Sequence, residues 1–487
     1  MNNKIHSVKY NFIMNFLLTA TNLIFPLITF PYVTRVLQAS GTGAVSFVTS
    51  VTNYFSLVAC LGIPTYGVRA CAKVRDNKAE LTKVTHEIFI INTVMTLFTL
   101  ATFVACIYLV PQFREEKTLF YINSVNLVLN LFGMQWLYQA LEQYDYITIR
   151  SIAAKVISVV LMFVLVHETS DYVIYGAIGV FAAAGSNVLN FFRARRYISF
   201  HPQGGYQLRR HLKPIMTLFA QTMVASIYTN LDTVMLGFMK DNAEVGLYTT
   251  AVKVKTILLS LVSSLGSVLL PRMSHIVKQG DREQFNNLTK KALDVTLLMA
   301  VPLSIYFCLF ARDSVLLLAG EGFLGAVLAM QIITIALIPN GLTGVLGVQV
   351  LTSLEKEKYV LYSVIVGAVA DLVLNMMFIP AYGAAGAALA TMIAEFLVLF
   401  VQLYYTRKIV GSMLRHLRAP IYALATAIGA VLSWLVMGAV GEMSPFVSLC
   451  ISATIFFGAY GVVLLICKEP LLMQYTEKIL SAVKRRK

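Results

Sequence analysis

Charge is scarce in this sequence. Asp, Glu, Lys and Arg together make up 13% of 487 residues, whereas 58% are hydrophobic and the mean hydropathy is +0.73. Soluble domains carry about 25% charged residues, so a soluble globular fold is excluded. Acidic residues are the scarcer sign, 24 against 39 basic, which leaves a net charge of +15. Cysteine is also sparse: Cys60, Cys71, Cys106, Cys308, Cys450 and Cys467 lie far apart with no CxxC spacing. That spacing excludes a disulfide framework and a zinc site of the usual kind, and the six read as small apolar packing residues. No Walker motif is present. The histidines, His6, His86, His167, His201, His211, His275 and His416, all fall near the ends of apolar runs rather than in one cluster.

Long apolar runs are what the chain has in abundance. A run of about 20 residues spans a hydrocarbon core of about 30 Å as a helix. About fourteen such spans are expected, near 10–33, 44–63, 87–110, 118–140, 151–167, 172–192, 214–239, 246–270, 292–311, 324–351, 360–379, 384–406, 419–440 and 445–467. The first is too long for a cleaved leader. With the N-terminus placed in the cytoplasm, 31 of the 39 basic residues fall on the inner side, five on the outer side and three inside spans. The positive-inside rule therefore predicts two cytoplasmic termini. The net positive charge is a topology signal, and no nucleic-acid partner is expected; "RARRYISF" and "VKRRK" border spans, where anionic lipid attracts them. Lys155 is expected to snorkel toward the inner surface.

The chain also repeats itself. "YGAIG" at Tyr175–Gly179 returns as "YGAAG" at Tyr382–Gly386, and "LEQYDY" at Leu141–Tyr146 returns as "LEKEKY" at Leu354–Tyr359. Gly133-x-Gln135 matches Gly347-x-Gln349, and Gly43, Leu61 and Arg69 match Gly246, Leu265 and Arg272. Landmarks in one order at a near-constant offset indicate a six-span unit used twice. Six is even, so the copies enter the bilayer from the same side and should be related by a pseudo-twofold axis along its normal. The expected organisation is an all-α polytopic membrane protein with a six-helix lobe at 1–200, a cytoplasmic linker at 201–213 and a second lobe at 214–408. Two extra helices at 409–467 belong to neither lobe, and a basic tail at 468–487 has Leu472, Tyr475, Ile479 and Val483 at helical spacing for the inner surface. The YGAxG pentapeptides are expected at the outer turn into each lobe's last helix, not in a binding site.

The ordered set "FPYVTRVL", "LGIPTYGVR", "TNLDTVMLG", "VGLYTTAVKV" and "NMMFIPAYGAAGAALAT" resembles the polysaccharide-biosynthesis branch of the multidrug/oligosaccharidyl-lipid/polysaccharide exporter superfamily, and within it the Wzx-type repeat-unit flippases of O-antigen and capsule synthesis. The similarity runs along the whole chain, including two C-terminal spans that the multidrug branch usually lacks. It implies alternating access and movement of an undecaprenyl-pyrophosphate-linked oligosaccharide from the inner to the outer leaflet of a bacterial cytoplasmic membrane. The implied partners are that lipid-linked oligosaccharide, the lipid bilayer, and a polysaccharide polymerase with its chain-length machinery.

Carrying sugars and about two negative charges while the polyprenyl tail stays in lipid calls for a hydrated cationic cavity. A charged residue at a helix centre costs about 2.5 to 3.5 kcal/mol, which makes intramembrane charges the candidates. The expected substrate-binding set is Arg35, Arg69, Lys253, Lys255 and Arg272. Arg69 and Arg272 occupy equivalent positions near the inner ends of the second and eighth spans; they either grip phosphate or snorkel to head groups. Arg35 is either a cavity cation or an interfacial anchor. Asp232 and Lys253 lie at equal depth in neighbouring spans, as a structural salt bridge or a pair that phosphate can switch. Asp371 and Glu395 are either coupling acids or helix glue to polar neighbours such as Asn375 and Thr391. Pro26, Pro31, Pro302 and Pro339 are expected to interrupt spans, as hinges in the first.

No cofactor is expected. A proton or sodium ion is a candidate coupling ion, but moving each negative charge out of an inside-negative cell already yields about 2.3 kcal/mol per 100 mV. The alternatives are a peptidoglycan-precursor flippase or a drug/cation antiporter of the same superfamily, and, from another class, a membrane polysaccharide polymerase. An enzyme is not expected, since polymerase chemistry needs a sizeable outer loop and the outer loops are short.

Overall fold

The computed structural model describes residues 8–470, apart from 265, 415 and 442, together with 473. Every regular element among the described residues is helical. Apolar runs without water must satisfy their own backbone, which helices do within one segment. The chain divides into two compact units, Met1–Gly246 and Leu247–Lys487.

In the first unit, α1 (Val8–Cys60) contains both expected first spans and breaks at Gln38, where φ is 57° and ψ is −177°. Pro26 and Pro31, expected to interrupt the first span, lie inside its helical part instead. Leu61, at φ 47°, then separates off a short α2 (Ile63–Lys73). Next come α3 (Lys78–Leu109), capped by the Asn77 side chain, α4 (Pro111–Glu115), α5 (Lys117–Gly133), α6 (Gln135–Ala140) and α7 (Tyr144–Leu165). Met134, in the left-handed region, parts α5 from α6. A 3-10 turn at Thr169–Asp171 leads into α8 (Tyr172–Val180), a π turn at Phe181–Gly185 and α9 (Asn187–Ala194). The unit continues through α10 (Arg209–Met239) and the first turn of α11 (Asn242–Ser263). α10, assigned by the repeat to the second lobe, packs here on α1 and α2.

A ladder of polar contacts sets the register of α1 against α7. Asn11 Nδ2 donates to Glu142 Oε2 at 3.4 Å just before α7, Thr148 Oγ1 to the Met14 carbonyl at 3.0 Å, and Lys155 Nζ to Asn22 Oδ1. Tyr32 Oη donates to the Val166 carbonyl at 2.7 Å and Thr169 Oγ1 to the Val36 carbonyl at 3.2 Å. The partners stay 131 to 134 residues apart, so the first half of α1 and α7 run parallel. Lys155, expected to snorkel, is a rung of this ladder. Near the other half of α1, Phe47 meets Phe113, Phe120 and Phe238 edge-on at centroid distances of 5.6 to 6.3 Å. Gly237 makes room for it: a Cβ there would lie 2.1 Å from the Phe47 ring.

The closest backbone approach joins α1 to the start of α11. A Cβ on Gly43 would lie 1.6 Å from the Asn242 carbonyl oxygen, and one on Gly246 would lie 2.1 Å from the Ala39 carbonyl oxygen. Each glycine thus meets the residue four before the other.

The second unit holds the rest of α11, then α12 (Gly266–Gln279), α13 (Arg282–Leu309), α14 (Ala311–Leu318), α15 (Ala326–Ile335) and α16 (Leu337–Thr343). A π turn at Gly344–Leu351 precedes α17 (Glu357–Leu414), which breaks at Gly383 with φ 51° and ψ −127°. Its halves lie antiparallel: Tyr359 stacks on Tyr405 at 4.2 Å, and Gln402 Nε2 donates to Ser363 Oγ at 3.1 Å. α18 (Ala419–Val440) and α19 (Pro445–Ile466) dock on α13. There Tyr306 Oη donates to the Leu449 carbonyl at 2.9 Å and Tyr460 Oη to the Leu298 carbonyl at 2.8 Å. The two C-terminal helices, expected to belong to neither six-helix lobe, pack on α13 in this unit.

The repeated landmarks share local structure in part. Glu142 and Glu355, equivalent in "LEQYDY" and "LEKEKY", take φ values of 57° and 58°. Both Gly-x-Gln motifs interrupt a helix, one at left-handed Met134 and the other within the second π turn. The YGAxG copies differ. Gly383 supplies the positive φ of a turn, whereas Gly176 lies within α8, where a Cβ would come 2.2 Å from Leu119. The first copy is helical because the chain has already turned at Thr169–Asp171. Leu265 and the apolar residues read in the tail, Leu472, Tyr475, Ile479 and Val483, lie outside the described residues.

Ten helical stretches among the described residues are long and apolar enough to cross a membrane. Two of them, Ile13–Lys73 and Glu357–Gly411, contain the breaks at Gln38 and Gly383 and so hold two expected spans each. The expected fourth and seventh spans are not among the ten, α5 being only 17 residues long. The chain is an all-helical, multi-pass membrane protein.

Replacing Gly43 by Ala should destabilise the protein by about 1 to 3 kcal/mol, the usual cost of overpacking, because the opposing atom is a backbone carbonyl. Gly179→Ala, where no atom lies within 4 Å of the added Cβ, should melt within error of the unaltered protein in the same detergent. Equal melting temperatures for all three would refute the crossing.

Candidate functional site

The intramembrane charges fall into separate environments. Asp232 is 7% exposed on α10, seven residues before Met239, with buried Thr233 beside it. It belongs to the first unit, while Lys253 and Lys255, half-buried on α11, belong to the second. Arg35 is exposed, three residues before the break at Gln38, and its Nη1 donates to the Pro31 carbonyl at 2.7 Å. The Gln38 side chain in turn donates to the Arg35 carbonyl at 2.6 Å.

Arg69 and Arg272, expected near the inner ends of the second and eighth spans, lie beyond the ends of the long helices that form them. Leu61 ends the helix before Arg69 is reached, and α11 stops at Ser263, so each arginine is carried on its own short helix, α2 or α12. Both are exposed. The settings correspond: α2 packs on α6, beyond the break in the first unit's interrupted helix, and α12 packs on the π turn Gly344–Leu351 in the second. An exposed arginine on a short helix presents its planar donor fork without being embedded in hydrocarbon.

Asp371 and Glu395 are 1% and 4% exposed, on opposite halves of α17. Each stands twelve residues from Gly383, about 18 Å along its helix, so the antiparallel register sets them in one layer. Asn340 Nδ2 donates to Glu395 Oε1 at 2.7 Å. One turn earlier, the Thr391 hydroxyl lies 3.1 Å from Tyr248 Oη and bonds the Ala387 carbonyl. Asn375, one turn after Asp371, is fully buried. Two carboxyls in a buried layer with amide and hydroxyl neighbours can hold a proton or be held as hydrogen-bonded acids. No cluster of three or more His, Cys, Asp or Glu side chains suited to a metal ion occurs among the described residues.

A larger polar cluster was not visible in the sequence pattern. Glu87, fully buried on α3, accepts from Arg210 Nη2 at 2.6 Å, from the Gln207 backbone N–H at 2.7 Å, and meets His211 Nε2 at 2.7 Å. His211 Nδ1 lies 2.7 Å from Tyr66 Oη on α2. Beside them, His86 bridges Tyr206 Oη at 2.9 Å and the Ser199 carbonyl at 2.8 Å. The cluster ties the segment between α9 and α10 onto α3. A buried carboxylate with one cation and several donors is strongly held, since removing a partner costs about 3 to 5 kcal/mol. The available signal was a glutamate opening an apolar run at position 87, with histidines at 86 and 211.

Two cavities open in the first unit. One of about 300 Å³ is lined by His86, Phe89, Phe191, Phe200 and Tyr206. The other, about 560 Å³, lies between α7 and α9 and is lined by Tyr146, Arg150, Ala153, Phe181, Gly185 and Arg193 among others. Arg150 falls just before the apolar run at 151–167, yet it sits inside α7 and is only 7% exposed.

Comparison with known proteins agrees along most of the chain. A protein named "Putative O-antigen transporter" from Escherichia coli (strain K12) is 25% identical over 409 residues, covering 84% of this chain and 98% of that protein. A protein of the same name from Shigella dysenteriae is 25% identical over 416 residues, covering 81% and 99%. Among solved structures, the lipid II flippase MurJ in an inward closed conformation superposes with a TM-score of 0.75 at 15% identity, covering 95% of this chain and all of that one. An inward-facing multidrug resistance MATE family transporter of the MOP superfamily gives a TM-score of 0.61 at 13% identity, covering 82% of this chain and 96% of that one. The fold is therefore that of the MOP superfamily. The model for "Polysaccharide biosynthesis protein" matches residues 8–277, more than half of the sequence, and the chain belongs to that family.

Proposed function

We propose that this protein is a flippase that moves polyprenyl-pyrophosphate-linked polysaccharide repeat units from the cytoplasmic to the outer leaflet of a bacterial inner membrane by alternating access. The observation that carries the reading is the alignment with the Escherichia coli O-antigen transporter across 98% of that protein's length. The organisation proposed is about fourteen transmembrane helices with both termini cytoplasmic, in two six-helix lobes about a pseudo-twofold axis plus two C-terminal helices. The matching φ values at Glu142 and Glu355 and the reciprocal Gly43 and Gly246 contacts support that repeat.

In this reading Arg69 and Arg272 receive the diphosphate at the cytoplasmic side, and Arg35, Lys253 and Lys255 complete a cationic path. Phosphate competes with Asp232 for lysine, and the exchange biases the inward-facing and outward-facing states. Asp371 and Glu395 are the candidate proton or sodium acceptors, with the membrane potential as the driving force if neither ion is used. Transfer of the lipid-linked product to a polymerase and its chain-length machinery follows outside.

A second reading, a peptidoglycan-precursor flippase, is favoured by the likeness to lipid II flippase MurJ over 95% of the chain. It differs in head group rather than in transport chemistry. The drug/cation antiporter reading accounts less well for α18 and α19, which are packed into the second unit.

Leaflet-resolved labelling of lipid-linked glycans in cells deprived of this protein should find complete repeat units confined to the inner leaflet. Complete but unpolymerised units outside would point to a polymerase, and accumulated lipid II to the second reading. Asp232→Asn should lower export at least tenfold with normal membrane abundance; unaltered export would remove the switch. In vesicles with the potential clamped, Glu395→Gln should abolish any stimulation by an imposed proton or sodium gradient, and undiminished stimulation would exclude Glu395 as the acceptor.

A further inference from the structure

We propose that the groove between α7 and α9 is a binding site for one anionic bilayer phospholipid, its phosphodiester held by Arg150 and Arg193. The groove has about 560 Å³ of space, within the 300 to 1,000 Å³ typical of small-ligand pockets. Arg150 enters it from α7 and Arg193 from α9. Both approach Tyr146: the Arg193 guanidinium carbon lies 3.9 Å from the ring centroid and that of Arg150 6.0 Å. Arg150 Nη1 donates to Asn187 Oδ1 at 2.9 Å, which fixes its plane.

Two observations distinguish this groove from an ordinary helix seam. The Nε of Arg150 and that of Arg193 are buried and have no hydrogen-bond partner, an arrangement that costs free energy until an acceptor arrives. In addition, the wall opposite α7 is the π turn Phe181–Gly185, a helix irregularity often found at functional sites. Gly185 contributes by lacking a side chain, since a Cβ there would come 2.4 Å from the Phe181 ring.

The charge and depth indicate which ligand fits. Arg150 lies six residues from the first residue of α7, about 9 Å along the helix, a head-group depth. Asp145 also lines the groove, so two guanidiniums and one carboxylate leave a net charge of +1. That balances the single negative charge of a phosphodiester rather than the two or more of a diphosphate. Ile149, Ile157, Val188 and Leu189 line the same groove, exposed, and offer acyl chains an apolar bed. The site is therefore separate from the cationic path proposed for the cargo, and it does not require that path to exist.

Native mass spectrometry of the full-length protein, titrated with phosphatidylglycerol, tests this directly. One phosphatidylglycerol should bind more tightly than the rest, and Arg193→Gln and Ala153→Trp should each weaken it about tenfold. Ala153 is exposed in the groove, so its replacement fills the space without removing charge, and the pair keeps the test valid if Arg150→Gln fails to fold. Phosphatidylcholine binding should be the same in all forms. The proposal is overturned if neither variant changes phosphatidylglycerol binding. It is equally overturned if inorganic phosphate alone displaces the lipid at comparable concentration, or if a polyprenyl diphosphate binds there more tightly.

Discussion

A charge in hydrocarbon must be hydrogen-bonded, paired or wet, and that constraint sorts the polar residues of this chain. Glu87 meets it with two side chains and a backbone N–H, and in doing so holds the α9 to α10 segment against α3. Lys155 meets it by donating to Asn22, one rung of the ladder that fixes α1 on α7. Glu395 takes the amide of Asn340. Such groups are held by their partners, and their contribution is register: a one-residue slip would leave Glu87 and Glu395 buried and unsatisfied, at a cost of several kcal/mol.

The same constraint applies to the backbone. Breaks are tolerated where neighbouring helices or side chains can satisfy the freed groups. The chain concentrates them at Gln38, Leu61, Met134, Glu142, Glu355 and Gly383 and in two π turns. Five of these six residues are not glycine, and a non-glycine residue at positive φ carries strain of about 1 to 3 kcal/mol. Each strained residue lies at a junction between helices, where it sets the angle at which the next segment departs. The recurrence of that strain at Glu142 and Glu355, in equivalent motifs, is hard to attribute to local propensity and follows readily from a duplicated backbone.

Much of this was legible in the amino-acid pattern because hydrophobic length is a strong signal. The apolar runs at 87–110, 419–440 and 445–467 correspond to α3, α18 and α19, and the pair "LEQYDY" and "LEKEKY" led to two glutamates with the same backbone geometry. What escaped was whatever depended on helix boundaries. These helices extend past their apolar runs at the N-terminal end, so α3 begins nine residues before its run and α7 seven residues before. Those polar first turns contain Glu87's neighbour His86, and Asp145, Tyr146 and Arg150, all of which a hydropathy window assigns to loops. Breaks were equally hidden. Pro26 and Pro31 look like interruptions but sit in continuous helix, whereas Gln38 and Met134, with no special propensity, break it.

Locking and exposure also separate the arginines by what each could release. Arg210 is bound to buried Glu87 by two nitrogens, and any ligand would have to replace both bonds before gaining its own. Arg69 and Arg272 are exposed on short helices, each joined to its span through a break. A transporter must let its anion go, so a site that binds by displacing buried bonds would be slow to load and costly to empty, whereas exposed forks bind weakly and reversibly. Short helices add a second property. A small change in the backbone at Leu61 reorients all eleven residues of α2 together, including Arg69, without unwinding the long helix that precedes it. A rigid arm on a strained joint is suited to a residue that must face its ligand in one state and turn from it in the other, and by that criterion the exposed pair fits the proposed transport path better than the better-bonded arginines.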